Sequence, residues 1–488
     1  MQTGSEAVRS EGSSSRREVT EPDPLRVLFD RQRAAHRSDP APSYEQRIAW
    51  LDTLIRLVAA NRQQIADAIS ADFGSRSWHE TQIAEVFTLI TGIRYIKKHL
   101  RGWMKPQARH VMLAMLPGRA KVVYQPLGVV GVIAPWNYPF QLAVGPLAAA
   151  LAAGNRVMLK PSEYTPQTSA LLARLLGDAF QPDVVTVITG GPEVGAAFSK
   201  LPFDHLLFTG STAVGKVVMR AAAENLTPVT LELGGKSPAL VHESYPIERA
   251  AGRIAAGKWF NAGQTCIAPD YLLVPEARIS QFVDALQKSV AQAYPTIAQN
   301  GDYTSVVNDR HYARLRGLVD DAVTRGARKI EINPAGEALE PGSRKLPPTL
   351  LLDVDDDMQV MQEEIFGPLL PVVGYRSLDQ ALAYINDRPR PLALYYFDYD
   401  GDRAKHVLEQ TISGGATIND TLLHFACDDL PFGGVGPSGI GAYHGREGFE
   451  TFSHKKGVFL QAKINAAASM GPPYAGRVDK LLKFLIGK

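Results

Sequence analysis

The chain has 488 residues, 45% hydrophobic and 21% charged, with 52 basic against 50 acidic side chains. That length asks for two or three domains, and an ordinary composition with 42 glycines and 33 prolines excludes collagen-like and globally disordered chains. A net charge of +2 supplies no global field for nucleic acid, and two cysteines, Cys266 and Cys427, cannot build a disulfide framework or a multi-cysteine metal site. The 11 histidines form no ligand-spaced cluster, so no metal is expected.

Residues 1–23 are rich in Ser, Arg and Glu. They lack the apolar run of a secretory signal, and Glu6, Glu11, Glu18 and Glu21 break the acid-poor pattern of a transit peptide, so a disordered extension is expected. Over 44–73, apolar residues at Ile48, Leu51, Leu54, Ile55, Val58, Ile65 and Ile69 keep a helical period, and a second helix is predicted over 81–100. The segments 121–125 and 127–134 read as strands, the second buried on both faces. A helix at 140–153, a strand at 156–160, a helix at 165–180, strands at 184–189 and 205–209 and a helix from Ala213 then alternate, as a parallel sheet with right-handed crossovers requires. Beyond Leu231 a second α/β stretch runs to about Asp420, with helices at 247–261, 280–293, 311–326 and 378–386. After a Gly-rich segment, 456–463 is loosely strand-like and free to pair with 121–125. The basic, amphipathic 480–488 spans about two turns and reads as a helix packed on its own domain or on a partner. The longest apolar stretch, 142–154, contains Gly145 and Pro146 and falls far short of the ~20 residues that span a bilayer.

Chemistry concentrates in a few places. The one literal G-x-G-x-x-G, Gly434 to Gly439, follows no strand and contains Pro437, so a flexible Gly-rich loop describes it better than a phosphate cradle. At Phe208-Thr209-Gly210-Ser211-Thr212-Ala213-Val214-Gly215 a strand runs into a helix, and Ser211 with the helix amides can hold a phosphate. Helix capping explains the same pattern, and both readings stand. Cys266 lies in a turn after Gly263, which presents a side chain, although free cysteines are more often buried packing. Glu232, between Leu231 and Leu233, is a carboxylate in apolar surroundings, suited to a base. Asn137, in a turn between Pro135 and Pro139, can aim amide hydrogens at an oxyanion.

Together, Pro135-Trp136-Asn137-Tyr138-Pro139, Glu232-Leu233-Gly234-Gly235-Lys236, Gly263-Gln264-Thr265-Cys266 and Glu363-Glu364-Ile365-Phe366-Gly367-Pro368 resemble, in order and over about 24–462, the NAD(P)-dependent aldehyde dehydrogenase superfamily. Ala268-Pro269-Asp270-Tyr271 and the ending through Tyr443-His444-Gly445-Arg446 are most similar to the class 3 branch, and within it to the bacterial coniferyl-aldehyde group. The resemblance implies an α/β aldehyde dehydrogenase-like fold, with a Rossmann-type nucleotide-binding domain (24–108 and 126–232), an α/β catalytic domain (233–425), a small bridge of oligomerisation strands (109–125 and 445–475) and a C-terminal tail (476–488). It implies Cys266 as nucleophile, Glu232 as general base and Asn137 at the oxyanion. It places the cofactor against Trp136, Lys160, Glu163, Gly210, Ser211, Gly215, Glu364 and Phe366. NAD is expected over a usable NADP because Glu163 repels a 2′-phosphate. The expected partners are a small aldehyde and a second copy of the chain in a homodimer, with no membrane span and a cytoplasmic location. His424, Phe425 and Cys427 are expected near the substrate funnel, none of them catalytic.

Overall fold

The computed structural model describes residues 23–463, 470–472, 474 and 476–487. The expected disordered extension thus lies outside the described residues, apart from Asp23, whose side chain accepts from the Leu25 amide to cap the helix Pro24–Ser38. The described chain is α/β, with three sheets.

A six-stranded sheet runs in the order Gly439–Ile440, Val229–Glu232, His205–Thr209, Val129–Ile133, Arg156–Lys160 and Val185–Val187. All neighbours pair parallel except the Gly439–Ile440 edge. The chain builds outward from Val129–Ile133 in one direction and then in the other. The carboxyl ends on either side of that reversal form the crevice where open α/β sheets bind ligands. The helix Gln141–Ala152 is buried along nearly its whole length, as its Ala- and Leu-rich sequence demands of an element covered on all sides.

A seven-stranded sheet carries Arg328–Glu331, Thr349–Leu352, Leu369–Tyr375, Tyr271–Pro275, Pro238–Val241, Ala393–Phe397 and Gly415–Ile418 in that order, parallel apart from the first strand. The third sheet is antiparallel: Gln107–Arg109, Arg119–Pro126 and Ser453–Leu460. The two stray strands of the sequence do pair, from Ser453 opposite Pro126 to Leu460 opposite Arg119. Asn155 fastens this sheet to the six-stranded one, accepting from the Leu127 and Gly128 amides and donating to the Phe452 carbonyl.

Several elements differ from the sequence reading. The 44–73 helix is two helices, Tyr44–Ala60 and Arg62–Phe73, because the Asn61 carboxamide bonds back to the Leu57 carbonyl and ends the first ladder. The 81–100 helix contains a π-helical turn, Gln82–Phe87, between Trp78–Thr81 and Thr88–Trp103. The helix expected to reach Asn261 stops at Trp259, and Asn261 and Ala262 adopt left-handed φ of 52° and 50°. The Gly434–Gly439 segment is close-packed, not loose: the Ser438 carbonyl accepts from Leu233, and Gly439 pairs with Glu232. The tail forms the helix Arg477–Ile486, with Phe484 and Ile486 exposed.

Candidate active site

Strand ends bring the site together. Asn137 follows Val129–Ile133, Lys160 ends Arg156–Lys160, Ser211 follows His205–Thr209, and Glu232 ends Val229–Glu232. All four border one continuous cleft of about 3510 Å³, counting its open mouth, which also takes in Cys266, Trp136, Glu163, Gly210, Glu364 and Phe366.

The Cys266 loop is held by a dense hydrogen-bond network. Gly263 turns it with φ 75°, and a Cβ there would stand 2.2 Å from the Gly367 carbonyl oxygen. The buried Gln264 side chain donates to the Asn261 and Ser305 carbonyls and accepts from the Val307 amide. The Thr265 hydroxyl meets the Tyr138 hydroxyl at 2.6 Å. Asn137, 3% exposed, donates through Nδ2 to the Gln264 carbonyl at 3.2 Å, which leaves the second amide hydrogen free. Its own carbonyl accepts from Arg76 at 2.9 Å and from Asn261 at 3.1 Å.

Behind this loop stand three charged side chains that the sequence reading passed over. Arg76 and Glu85 form an ion pair of 2.9 Å with neither side chain exposed. The other Glu85 oxygen accepts from the Phe140 and Gln141 amides at the start of the long buried helix, where an anion is favoured. Glu80 accepts from the Asn261 amide and the Thr304 hydroxyl, and burial pushes its carboxyl up to about 7. Polar residues in a helical stretch read as a solvated face. Only the π-helical turn, which carries Glu85, hinted otherwise, and it leaves no sequence signature.

Burial pushes the Cys266 thiol well above its ordinary range, helped by the nearby Glu364 and Glu232 carboxyls, while the backbone amides of Cys266 and Ile267 pull the other way. Glu232, 3% exposed, has no hydrogen-bond partner at either carboxyl oxygen, and desolvation raises it well above the usual carboxylate range. Glu364 rises to about 8, again through burial first and then the Asp270 charge. Its carboxyl lies across Gly234, where a Cβ would stand 2.1 Å from Oε2.

The cleft's other lobe fits a dinucleotide. The Ser211 side chain caps the helix Thr212–Ala223 by accepting from Val214, as the capping reading expects, and it also borders the cleft. Lys160, 3% exposed, donates to the Glu163 carboxylate at 3.3 Å. Trp136 meets Phe366 edge-on at 5.2 Å. Gly215 stands apart from the cleft lining; a Cβ there would meet Leu233 at 2.7 Å, so its smallness lets helix and strand approach. The same cleft is lined by the aromatic residues Phe425, Phe432 and Tyr443, with Phe432 meeting Phe425 edge-on at 4.9 Å and Tyr443 at 6.3 Å. His424 is 6% exposed and stacks on Phe432 at 6.0 Å, whereas Cys427 is exposed and outside the lining. Among the described residues no group of acidic, His and Cys side chains could hold a metal, and no helix is long and apolar enough to cross a membrane.

A cleft that brings a cysteine, a desolvated carboxyl and the strand ends of a doubly wound sheet together suits a nicotinamide-dependent dehydrogenase. Residues 28–458 match the aldehyde dehydrogenase family, and the chain belongs to it. It is 57% identical over 458 residues to a probable coniferyl aldehyde dehydrogenase of Pseudomonas aeruginosa, covering 94% of this chain and 95% of that one. It is 49% identical over 465 residues to the coniferyl aldehyde dehydrogenase of a Pseudomonas species (strain HR199), with 95% and 96% covered. Among solved structures, the substrate-bound state of Staphylococcus aureus AldH superposes with a TM-score of 0.90 at 38% identity, covering 95% of this chain and all of the other. The family oxidises aldehydes to acids with NAD(P).

Proposed function

We propose that this chain oxidises an aromatic aldehyde of the coniferyl-aldehyde type to its carboxylic acid. The observation that carries the reading is that Phe425, Phe432 and Tyr443 line the same cleft as Cys266, which suits a conjugated ring. The names of the 57% and 49% identical relatives support it.

Cys266, once its thiol proton has passed to solvent, attacks the aldehyde carbon as the thiolate and forms a thiohemiacetal. The free Asn137 amide hydrogen and the Cys266 backbone N–H receive the oxyanion, and one such donor contributes about 3–4 kcal/mol to the transition state. NAD(P), when bound, supplies a positively charged ring that favours the thiolate and takes up the hydride. Oxidation leaves a thioester on Cys266. Glu232, unbonded and desolvated, removes a proton from water at that carbon, and the acid departs.

Lys160 and Glu163 are proposed to hold the adenosine ribose, Ser211 and Gly210 the pyrophosphate, and Glu364, Phe366 and Trp136 the nicotinamide end. Glu163, accepting from Lys160, suits a 2′-hydroxyl better than a 2′-phosphate, which favours NAD over NADP. The six-stranded sheet is the nucleotide-binding unit in this reading, and the seven-stranded sheet the catalytic one. The edge strand Ser453–Leu460, with Phe459 and Leu460 exposed, suits pairing in a cytoplasmic homodimer.

The test is formation of reduced nicotinamide from NAD with coniferaldehyde, benzaldehyde, hexanal and decanal, beside Cys266→Ser. The highest kcat/KM is expected on coniferaldehyde, with activity lost in the variant. Faster turnover of hexanal or decanal would keep the mechanism and discard the aromatic substrate.

A further inference from the structure

Beside the main cleft lies a smaller pocket of about 520 Å³, most of it open solvent at its mouth. The two share Thr88, Gln141, Phe425, Ala426 and Tyr443, so one layer of side chains stands between them. Tyr443 is near enough to Cys266 and Glu232 for their charges to act on its phenol, which puts the shared wall next to the reacting groups.

Two polar atoms in this side cavity lack partners. Gln141 is 8% exposed, and its Oε1 bonds to nothing. Its backbone is pinned to Glu85, and its carboxamide lies over Gly145, where an added Cβ would sit 3.6 Å from Oε1. His444 Nδ1 is the second orphan. The His444 ring is sandwiched by Phe432 at 5.0 Å and met edge-on by Phe425 at 4.8 Å and Tyr443 at 4.8 Å. Burial, and then the His424 ring, push its pKa down to about 3, so it is neutral across the physiological range. A buried carboxamide oxygen and a buried imidazole nitrogen without partners are costly in a folded protein, and such pairs mark the place where a ligand completes the bonding.

We propose that this side cavity receives the ring 4-hydroxyl of a hydroxycinnamaldehyde, the hydroxyl donating to Gln141 Oε1 and accepting from His444 Nδ1–H. The inference rests on the aromatic-aldehyde reading above and narrows it to phenolic substrates. A phenol both donates and accepts through one oxygen, which matches an unpartnered acceptor and an unpartnered imidazole nitrogen on residues that line the same cavity. An aldehyde without that hydroxyl leaves both protein atoms unpaired, and sites built to bond a hydroxyl reject the analogue lacking it far more strongly than apolar pockets reject a lost methylene.

The experiment measures kcat/KM of the full-length enzyme with NAD for coniferaldehyde and 3-methoxycinnamaldehyde, which differ only in the hydroxyl, with hexanal alongside. The wild type is expected to prefer coniferaldehyde by about 10⁴-fold, and Gln141→Met to reduce that ratio to about 100-fold or less, with His444→Phe lowering it as well. A wild-type ratio within about 100-fold, or a ratio that Gln141→Met leaves unmoved, overturns the proposal. Should the variants fail to fold, the wild-type ratio decides alone. Turnover of hexanal with neither aromatic aldehyde would instead bring down the aromatic reading itself, whereas equal turnover of both aromatic aldehydes sinks only this inference.

Discussion

The nucleophile and the base of this enzyme sit on opposite kinds of support. The Cys266 loop is held by many hydrogen bonds, through Gln264, Asn261, Asn137, Thr265 and the buried Arg76–Glu85 pair, although Asn261 Oδ1 and Arg76 Nε and Nη2 have no partner. Glu232, in the same cleft, has two carboxyl oxygens bonded to nothing. The difference follows from their tasks. A nucleophile works once, from one direction, and gains from being held near the reacting carbon. A base that serves a water must change proton state, and a carboxylate held by several donors would be too weak a base to do so.

The largest effect that could break this comparison is on the base. Glu232→Gln is expected to lower kcat by about 10²- to 10⁴-fold while a first burst of reduced nicotinamide survives, since deacylation is the step that lacks its base. Rapid-mixing absorbance checks this, and loss of the burst together with turnover would assign Glu232 to thiol activation instead. Asn137→Ala should cost about 10²- to 10³-fold in kcat and should slow the burst itself, which separates oxyanion support from base catalysis. Arg76→Met tests the framework: leaving Glu85 buried and unpaired is expected to cost about 3–5 kcal/mol in denaturant unfolding, with activity falling as the Asn137 carbonyl loses a donor.

The smallest effect sharpens the comparison through pH. The folded-state pKa of Glu232 is raised, so its buried neutral form favours folding below the unfolded pKa, and that contribution is lost as pH rises through the folded value. Glu232→Gln should therefore melt at a higher temperature than the wild type, with a gap wider at pH 9 than at pH 6. Scanning calorimetry at the two values checks the sign, and a gap that narrows with pH would mean that the carboxylate is stabilised when charged.

The sequence showed the part built on the six-stranded sheet more fully than the other. Arg156–Lys160 and His205–Thr209 stand where the apolar pattern puts them, because each is bounded by clear turn chemistry. In the second half only helices were legible. Tyr271–Pro275, Leu369–Tyr375 and Ala393–Phe397 are short runs buried on both faces, and such runs carry no alternation to tell a strand from a piece of buried helix. The site divides in the same way. Cys266, Glu232 and Asn137 stand out by their neighbours in sequence, and resemblance joined them. Arg76, Glu80 and Glu85 do not, because their burial depends on the turn of a π-helix and on segments such as Thr304, more than two hundred residues away.

The strand that ends in Glu232 is covered on its outer edge by Gly439–Ile440, and Asn155 reaches from beneath the same sheet to the Phe452 carbonyl. Asn137, Glu232 and Cys266 all precede that segment in the chain, so during synthesis they emerge before the strand that closes the sheet's border. A nascent chain halted before Gly439 would carry thiol, base and oxyanion donor on a sheet with an open border.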